Sequence, residues 1–90
     1  MQLCTSIVEV GRVLGMAKCG QSWVPLREVV IAYDHARHAP FGDVVTLDFL
    51  NTSLSVDARA AVELTLESAR SLHELLGIAI AAASGEEKRA

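Results

Sequence analysis

The sequence has no cluster of positive charge, and this absence excludes one large class of partner. Eight Lys and Arg residues stand against eleven Asp and Glu residues, so the formal net charge is −3. A nucleic-acid-binding face needs Lys and Arg side chains grouped together to neutralise phosphates. Because the arginines here are scattered along the chain, we expect no nucleic acid among the partners of this protein.

Cysteines are also few, and long apolar runs are missing. Cys4 and Cys19 are the two cysteines of the chain, which is too few for a disulfide framework. The N-terminus does not place a basic region before an apolar core, as a secretory signal does. The apolar run at residues 75–83 is less than half of the about 20 residues that a membrane-spanning helix needs. These absences predict a cytoplasmic protein without a membrane partner.

Catalytic motifs are missing as well. The chain contains no Gly-x-Ser-x-Gly sequence, and Gly11, Gly15 and Gly20 lack the Lys-Ser/Thr ending of a phosphate-binding loop. A domain of 90 residues rarely encloses the pocket that an active site needs. We therefore predict that the protein is not an enzyme and uses no cofactor.

The densest group of titratable side chains lies in residues 34–43, and it includes the weak metal-ligand candidates His35 and His38. A zinc site needs three or four converging protein ligands, and no second ligand pair follows at a standard spacing. We interpret these residues as a solvated loop and predict no metal. A metal- or ligand-binding accessory protein that uses this loop is kept as an alternative function.

The longest apolar-periodic stretch, residues 59–84, changes its period part-way. Apolar residues alternate up to Leu66, which is typical of a half-buried strand. From Ala69 their spacing is three, four, three and four, which is typical of a helix on a core. Thr65 can cap this helix, because its hydroxyl can accept a hydrogen bond from a first-turn amide. We interpret the stretch as a strand that leads directly into the last helix; the alternative is one long helix from about Ser55.

Two further strands are predicted before this stretch. Residues 44–50 alternate cleanly, and residues 26–34 contain a β-branched and aromatic run that is typical of strands. For the latter segment, a helix that begins at Pro25 is the alternative. Together the two segments predict a hairpin around a long loop at residues 35–43. Residues 51–57 are predicted to form a polar turn.

The N-terminal part of the sequence is ambiguous. Residues 5–20 fit a helix, or two short strands with a bend at Gly11, and the β-branched residues slightly favour strands. Residues 21–25 are predicted to form a connector. Within it, Trp23 is interpreted either as a residue of the core or its rim or as an anchor for a partner, since tryptophan is enriched at binding hot spots.

The last helix has more apolar surface than packing on one sheet requires. One stripe would face the sheet, and a second stripe lies on an adjacent face of the helix. The first stripe consists of Ala69, Leu72, Leu76, Ala79 and Ala83, and the second consists of Leu75, Ile78 and Ala82. Left exposed, such a patch promotes association, so either the N-terminal segment or another chain must cover it. We favour another chain, and we predict that the second stripe and Trp23 bind a partner.

These patterns predict a single small α+β domain over residues 1–84. It would contain an antiparallel sheet of three to four strands with a long C-terminal helix packed on one face. An all-α helical bundle is the alternative. Residues 85–90 are predicted to form a charged tail that frays.

The function that we expect from the sequence is a non-catalytic protein–protein interaction or regulatory module. It would form a homodimer, or bind another protein, through the last helix and an exposed sheet edge. An alternative from another class is a small inhibitor, of the kind that phages and mobile elements encode, which blocks a host protein by covering its surface. For such an inhibitor on a basic partner, affinity would fall as salt is added.

Overall fold

The computed structural model describes residues 7–36, 42–54 and 58–89 of the chain. In order, its elements are β1 (Ile7–Cys19), β2 (Ser22–His35), β3 (Asp43–Leu50), β4 (Arg59–Leu64) and α1 (Leu66–Arg89). The strands form one four-stranded antiparallel sheet in sequence order, and α1 packs against β3 and β4. The predicted α+β architecture is therefore confirmed, and the all-α alternative is wrong.

The first two strands form a long hairpin with a two-residue turn. Gly20 occupies this turn with a φ of 63°, a left-handed conformation that glycine adopts without steric cost. Residues 7–19 are strand throughout, which decides the N-terminal ambiguity in favour of strand. The prediction of a connector at residues 21–25 is wrong: Trp23 lies inside β2, opposite Lys18, because a glycine at the turn lets the chain reverse within two residues.

A bulge interrupts β1. The register with β2 shifts between Arg12 and Gly15, where two residues of β1 lie opposite one residue of β2. A bulge of this kind bends a strand and increases its twist. The sequence predicted a bend at Gly11, but Gly11 pairs regularly with Val29, so the irregularity comes later in the strand.

Beyond the bulge, the β1–β2 hairpin extends past the end of β3. We call residues 15–26 the hairpin arm; β3 pairs only with the part of β2 from Glu28 onwards. The arm is held against the connection between β3 and β4. Asn51 donates a hydrogen bond from Nδ2 to the Pro25 carbonyl oxygen at 3.1 Å. Near the tip of the arm, the Cys19 thiol lies 3.7 Å from the Arg59 carbonyl oxygen.

The centre of the sheet follows the sequence pattern closely. The predicted strands at 26–34 and 44–50 are confirmed, although β2 begins earlier, at Ser22. The predicted hairpin between them is also confirmed: its last strand pair is His35 with Asp43, and the Ala36 amide donates to the Gly42 carbonyl at 3.0 Å. Residues 37–41 of the predicted loop, and 55–57 of the predicted polar turn, lie outside the described residues.

The change of period predicted within residues 59–84 is confirmed. β4 ends at Leu64 and α1 begins at Leu66, so a single residue, Thr65, joins them. The Ser68 amide donates to Thr65 Oγ1 at 3.0 Å, which is the capping bond that the sequence predicted. The alternative of one long helix from about Ser55 is wrong, because residues 59–64 pair with β3 as a strand.

The helix also continues through most of the predicted C-terminal tail. It ends at Arg89, so residues 85–89 are helical. Their fraying in solution stays a prediction. A helix of 24 residues is about 36 Å long, whereas the six residues of β4 span about 20 Å. α1 as a whole is therefore longer than β4.

Candidate protein-interaction surface

The side chains of the sheet alternate between two faces, and α1 lies over one of them. Paired residues across the strands share a face, so Ile31 of β2, Leu47 of β3 and Val62 of β4 project to the same side as Glu9 of β1. The opposite face is mixed. It carries the Asp48–Arg59 ion pair, in which Arg59 Nε donates to Asp48 Oδ1 at 3.2 Å.

An apolar groove lies between α1 and the first of these faces. Its volume is ≈ 390 Å³. Ten of the residues that line it are apolar and one, His73, is titratable. The groove is lined by Val13, Val29, Ile31, Val45, Leu47, Phe49, Leu64, Ala69, Leu72, His73 and Leu76. We refer to this set as the groove.

The groove is open because α1 covers only part of the sheet. The helix packs against β3 and β4, while the groove continues to Val13 of β1 and to Val29 and Ile31 of β2. Of the apolar residues that the structure describes, only Val29, Val44 and Ala58 are buried. Ile31 is 37% exposed although it lies in the second strand of four. The β1–β2 half of this sheet face therefore has no cover from the described part of the chain.

The helix itself is exposed along almost its whole length. The second stripe predicted from the sequence, which we call the outer stripe, is open to solvent: Leu75 is 63% and Ile78 is 61% exposed, and Ala82 is also exposed. The stripe predicted to face the core is less buried than expected, since Leu72 is 43% and Leu76 is 56% exposed. The reason is that α1 packs only on β3 and β4, and the groove beside it leaves these side chains open to solvent.

The total exposed area agrees with these local observations. The chain exposes 7093 Å². A folded monomer of 9.6 kDa is expected to expose about 5,100 Å². The Cα radius of gyration is 15.3 Å, compared with about 12 Å for an ordinary domain of this length. The chain thus exposes roughly 2,000 Å² more surface than a self-sufficient domain of its size.

Trp23 lies on the hairpin arm and is 60% exposed. By strand alternation it shares a face of β2 with Ile31, and the apolar Leu14 and Met16 of β1 are 86% and 55% exposed beside the bulge. Sequence reasoning offered Trp23 as core, rim or anchor. Its exposure excludes a buried core position, and its role as an anchor for a partner stays a prediction.

Of the two histidine candidates, the structure describes His35. His35 Nδ1 lies 2.6 Å from Asp43 Oδ1, across the last pair of the β2–β3 hairpin, and its Nε2 lies 3.8 Å from Asp34 Oδ1. His38 lies outside the described residues. Within residues 7–36, 42–54 and 58–89, no group of three or more His, Cys, Asp and Glu side chains is placed to hold a metal ion. The His35–Asp43 contact closes the hairpin instead.

Sequence reasoning missed two features of this surface. The first is the β1–β2 half of the groove: Val13 lay in the ambiguous segment 5–20 and Ile31 in a predicted strand, and no groove was predicted there. The available signal was the count of elements, because four strands and a single helix leave part of one sheet face uncovered. The second is Asn51, which is 4% exposed and ties the β3–β4 connection to the hairpin arm. Its only signal was the preference of asparagine for turns.

The fold and the surface together define a class: a small α+β protein with an open, four-stranded antiparallel sheet and one C-terminal helix. In the described part of the chain, no helix combines the length and the apolar character needed to cross a membrane. The chain belongs to the family of unknown function DUF6295, whose model matches residues 3–89. Neither curated proteins nor solved structures gave a match to this chain.

Proposed function

We propose that this protein is a non-catalytic protein–protein interaction module of regulatory type, which binds through α1 and the groove beside it. The observation that supports this function most directly is the exposure of the outer stripe. Leu75 and Ile78 are each more than half exposed on a helix whose other apolar stripe is also open. Apolar patches of this extent on a small protein mark sites of association.

The chemistry of the groove favours a protein partner over a small molecule. Small-molecule sites combine apolar walls with a few polar groups that fix the orientation of the ligand. In this groove His73 is the one polar side chain among the lining residues. A long apolar groove of this kind matches the recognition of an amphipathic helix, which lays its apolar face between secondary-structure elements.

The cellular location belongs to the same proposal. Cys19 is a free, half-buried thiol. Such thiols are typical of reducing compartments, where disulfides are rare. We place the protein in the cytoplasm, where it would act by occupying a protein surface, as a homodimer or in complex with another protein.

A matched pair of helix variants tests this function. Ala82→Glu places a carboxylate on the outer stripe. Ala81→Glu makes the same chemical change one residue earlier, about 100° around the helix, on the side that carries Glu74. Both residues are exposed, so neither change disturbs the fold of an isolated chain. The two variants therefore differ only in which face of α1 becomes charged.

The readouts are light scattering for the oligomeric state and affinity capture of the full-length protein from its native cell. Ala82→Glu should weaken the association at least about tenfold, since burying an unpaired carboxylate costs well over the 1.4 kcal/mol that corresponds to that factor. Ala81→Glu should behave as the wild type. The milder Ile78→Ala is measured alongside, because an obligate dimer can unfold when it dissociates. A monomeric wild type whose captured proteins are the same with both Glu variants would refute the proposal.

A further inference from the structure

α1 packs on only part of one face of the sheet. Neighbouring strands lie about 4.8 Å apart, so a flat four-stranded sheet would measure about 14 Å between its outer strands, and this sheet curls enough that β1 also contacts β4. Packed helices lie about 8–10 Å apart, so one helix covers about two strands. α1 packs on β3 and β4, and the groove continues beside it to Val13 of β1 and to Val29 and Ile31 of β2. The described part of the chain contains no second helix to place there.

The distribution of apolar residues around α1 points to what that second helix is. Leu76 faces the groove of its own sheet. Ile78 follows two residues later, about 200° around the helix, and therefore lies on nearly the opposite side. Leu75 and Ala82 lie about 100° and 120° from Leu76, so the outer stripe runs from the adjacent flank of α1 towards its far side. A helix that is apolar over so wide an arc is buried on more than one side. One cover is its own sheet, so a second cover is needed against the outer stripe.

We propose that two copies of this chain form a two-fold dimer in which the α1 of each copy lies in the groove of the other. The two helices then form a middle layer between the two sheets. Each α1 packs on β3 and β4 of its own copy through Leu72 and Leu76. Through Leu75, Ile78 and Ala82 it packs on β1 and β2 of the partner copy. This inference rests on the proposed function and specifies its partner.

The area that would be buried agrees with such a dimer. The chain exposes 7093 Å², roughly 2,000 Å² more than a monomer of its mass should. Obligate homodimers bury about 2,000–5,000 Å² in total, or about 1,000–2,500 Å² on each copy. The excess therefore lies within the range of an obligate dimer. Pairing of two β1 edges would leave the groove and the outer stripe exposed and would not account for it.

The composition of the groove and of the outer stripe also agrees with this dimer. A helix seated in the groove must be apolar over most of its contact, because His73 is the one titratable residue that lines the groove, with Glu9 of β1 on the same sheet face beside it. The outer stripe meets this requirement over residues 75–82. Ala79 and Ala83 of the first stripe and Ala82 of the outer stripe are small side chains, which would allow two copies of the helix to approach closely. The polar flank, with Arg70 and Glu74, would stay in solvent.

The decisive experiment is an isotope-filtered nuclear Overhauser measurement on a mixture of labelled and unlabelled full-length protein, which detects contacts between copies only. We expect contacts between the methyl groups of Ile78 in one copy and those of Val13 and Ile31 in the other. A monomer at the concentration used would overturn the dimer. Contacts between copies that are confined to α1 with α1, or to β1 with β1, would overturn the helix-in-groove arrangement.

A variant pair on the sheet supplies an independent readout. Ile31→Glu charges the groove, while Val10→Glu charges the opposite face of the sheet, where Val10 is 66% exposed. Ile31→Glu should raise the dissociation constant of the dimer at least tenfold, and Val10→Glu should leave it unchanged. Equal effects of the two variants would overturn the inference. If the wild type is monomeric but Ala82→Glu still abolishes capture of another protein, the proposed function stands and only the dimer fails.

Discussion

Asn51 joins the β3–β4 connection to the hairpin arm, and its replacement tests whether these contacts stabilise the fold. The side chain is buried, with 4% of the residue exposed. Its Nδ2 donates to the Pro25 carbonyl oxygen at 3.1 Å, and its Oδ1 accepts from the Ser53 amide at 3.1 Å. Both bonds involve backbone groups, which have to be paired when they lie away from water.

The expected loss follows from these two contacts. Asn51→Ala removes the hydrogen bond to the Ser53 amide, worth about 0.5–1.5 kcal/mol, and leaves the Pro25 carbonyl without its partner, which costs about 1–3 kcal/mol. The free energy of unfolding should therefore fall by about 1.5–4.5 kcal/mol. For a domain of this length, 1 kcal/mol lowers Tm by about 4–8 °C, so the variant should melt roughly 6–36 °C lower.

Urea unfolding followed by far-UV circular dichroism measures this change. All variants are compared at one protein concentration, because association adds to apparent stability. Ser53→Ala is the matched control: it keeps the backbone amide that Asn51 binds, and its exposed side chain should matter by less than about 0.5 kcal/mol. An Asn51→Ala change no larger than that of Ser53→Ala would refute the reasoning.

Asn51→Asp distinguishes the hydrogen bond to the Pro25 carbonyl from the hydrogen bond with the Ser53 amide. The carboxylate still accepts from the Ser53 amide but meets the Pro25 carbonyl oxygen without a proton to donate, so at neutral pH the loss should equal or exceed that of Asn51→Ala. In acid, the protonated carboxyl can donate to that oxygen. The difference in free energy of unfolding between Asn51→Asp and the wild type should then become smaller as pH falls. A difference that grows as pH falls would contradict the hydrogen bond from Asn51 to the Pro25 carbonyl.

Two further predictions concern the helix cap and the single tryptophan. Thr65→Ala should lower the free energy of unfolding by about 1 kcal/mol, because the Ser68 amide loses its acceptor. Thr65→Ser keeps a hydroxyl at this position and should retain most of that stability. Equal losses of the two variants in thermal melts would argue against capping. If Trp23 helps to anchor a partner, its fluorescence should be shielded from acrylamide in the wild type and become accessible in Ala82→Glu. Identical quenching of the two proteins would remove Trp23 from the interface, since this residue is 60% exposed in the isolated chain.

Local patterns were enough to predict most of the elements. Alternation at residues 44–50, and the change from alternation to helical spacing around Thr65, predicted β3, β4 and α1 because each pattern recurs within a few residues along the chain. The predicted cap at Thr65 is confirmed for the same reason, as a cap involves only the next three residues.

The N-terminal region shows where local patterns fail. Residues 5–20 contain glycines and capping-like polar residues that fit a helix as well as β-branched residues that fit a strand. What decides between them is pairing with residues 22–35, which lies outside any local window. Trp23 was assigned to a connector because a two-residue turn at Gly20 was not recognised, and that turn makes the flanking residues part of the strands.

By itself, the sequence determined that the chain has a long, unusually apolar last helix, and it predicted an α+β fold with an all-α bundle as the alternative, because periodicity and composition are properties of the chain alone. Only the tertiary structure decided where that apolar surface lies. The order β1-β2-β3-β4 puts α1 over β3 and β4 and leaves β1 and β2 uncovered. A stripe such as Leu75, Ile78 and Ala82 becomes a candidate interface only when no other part of the described fold packs on it, and burial depends on contacts between residues far apart in the chain.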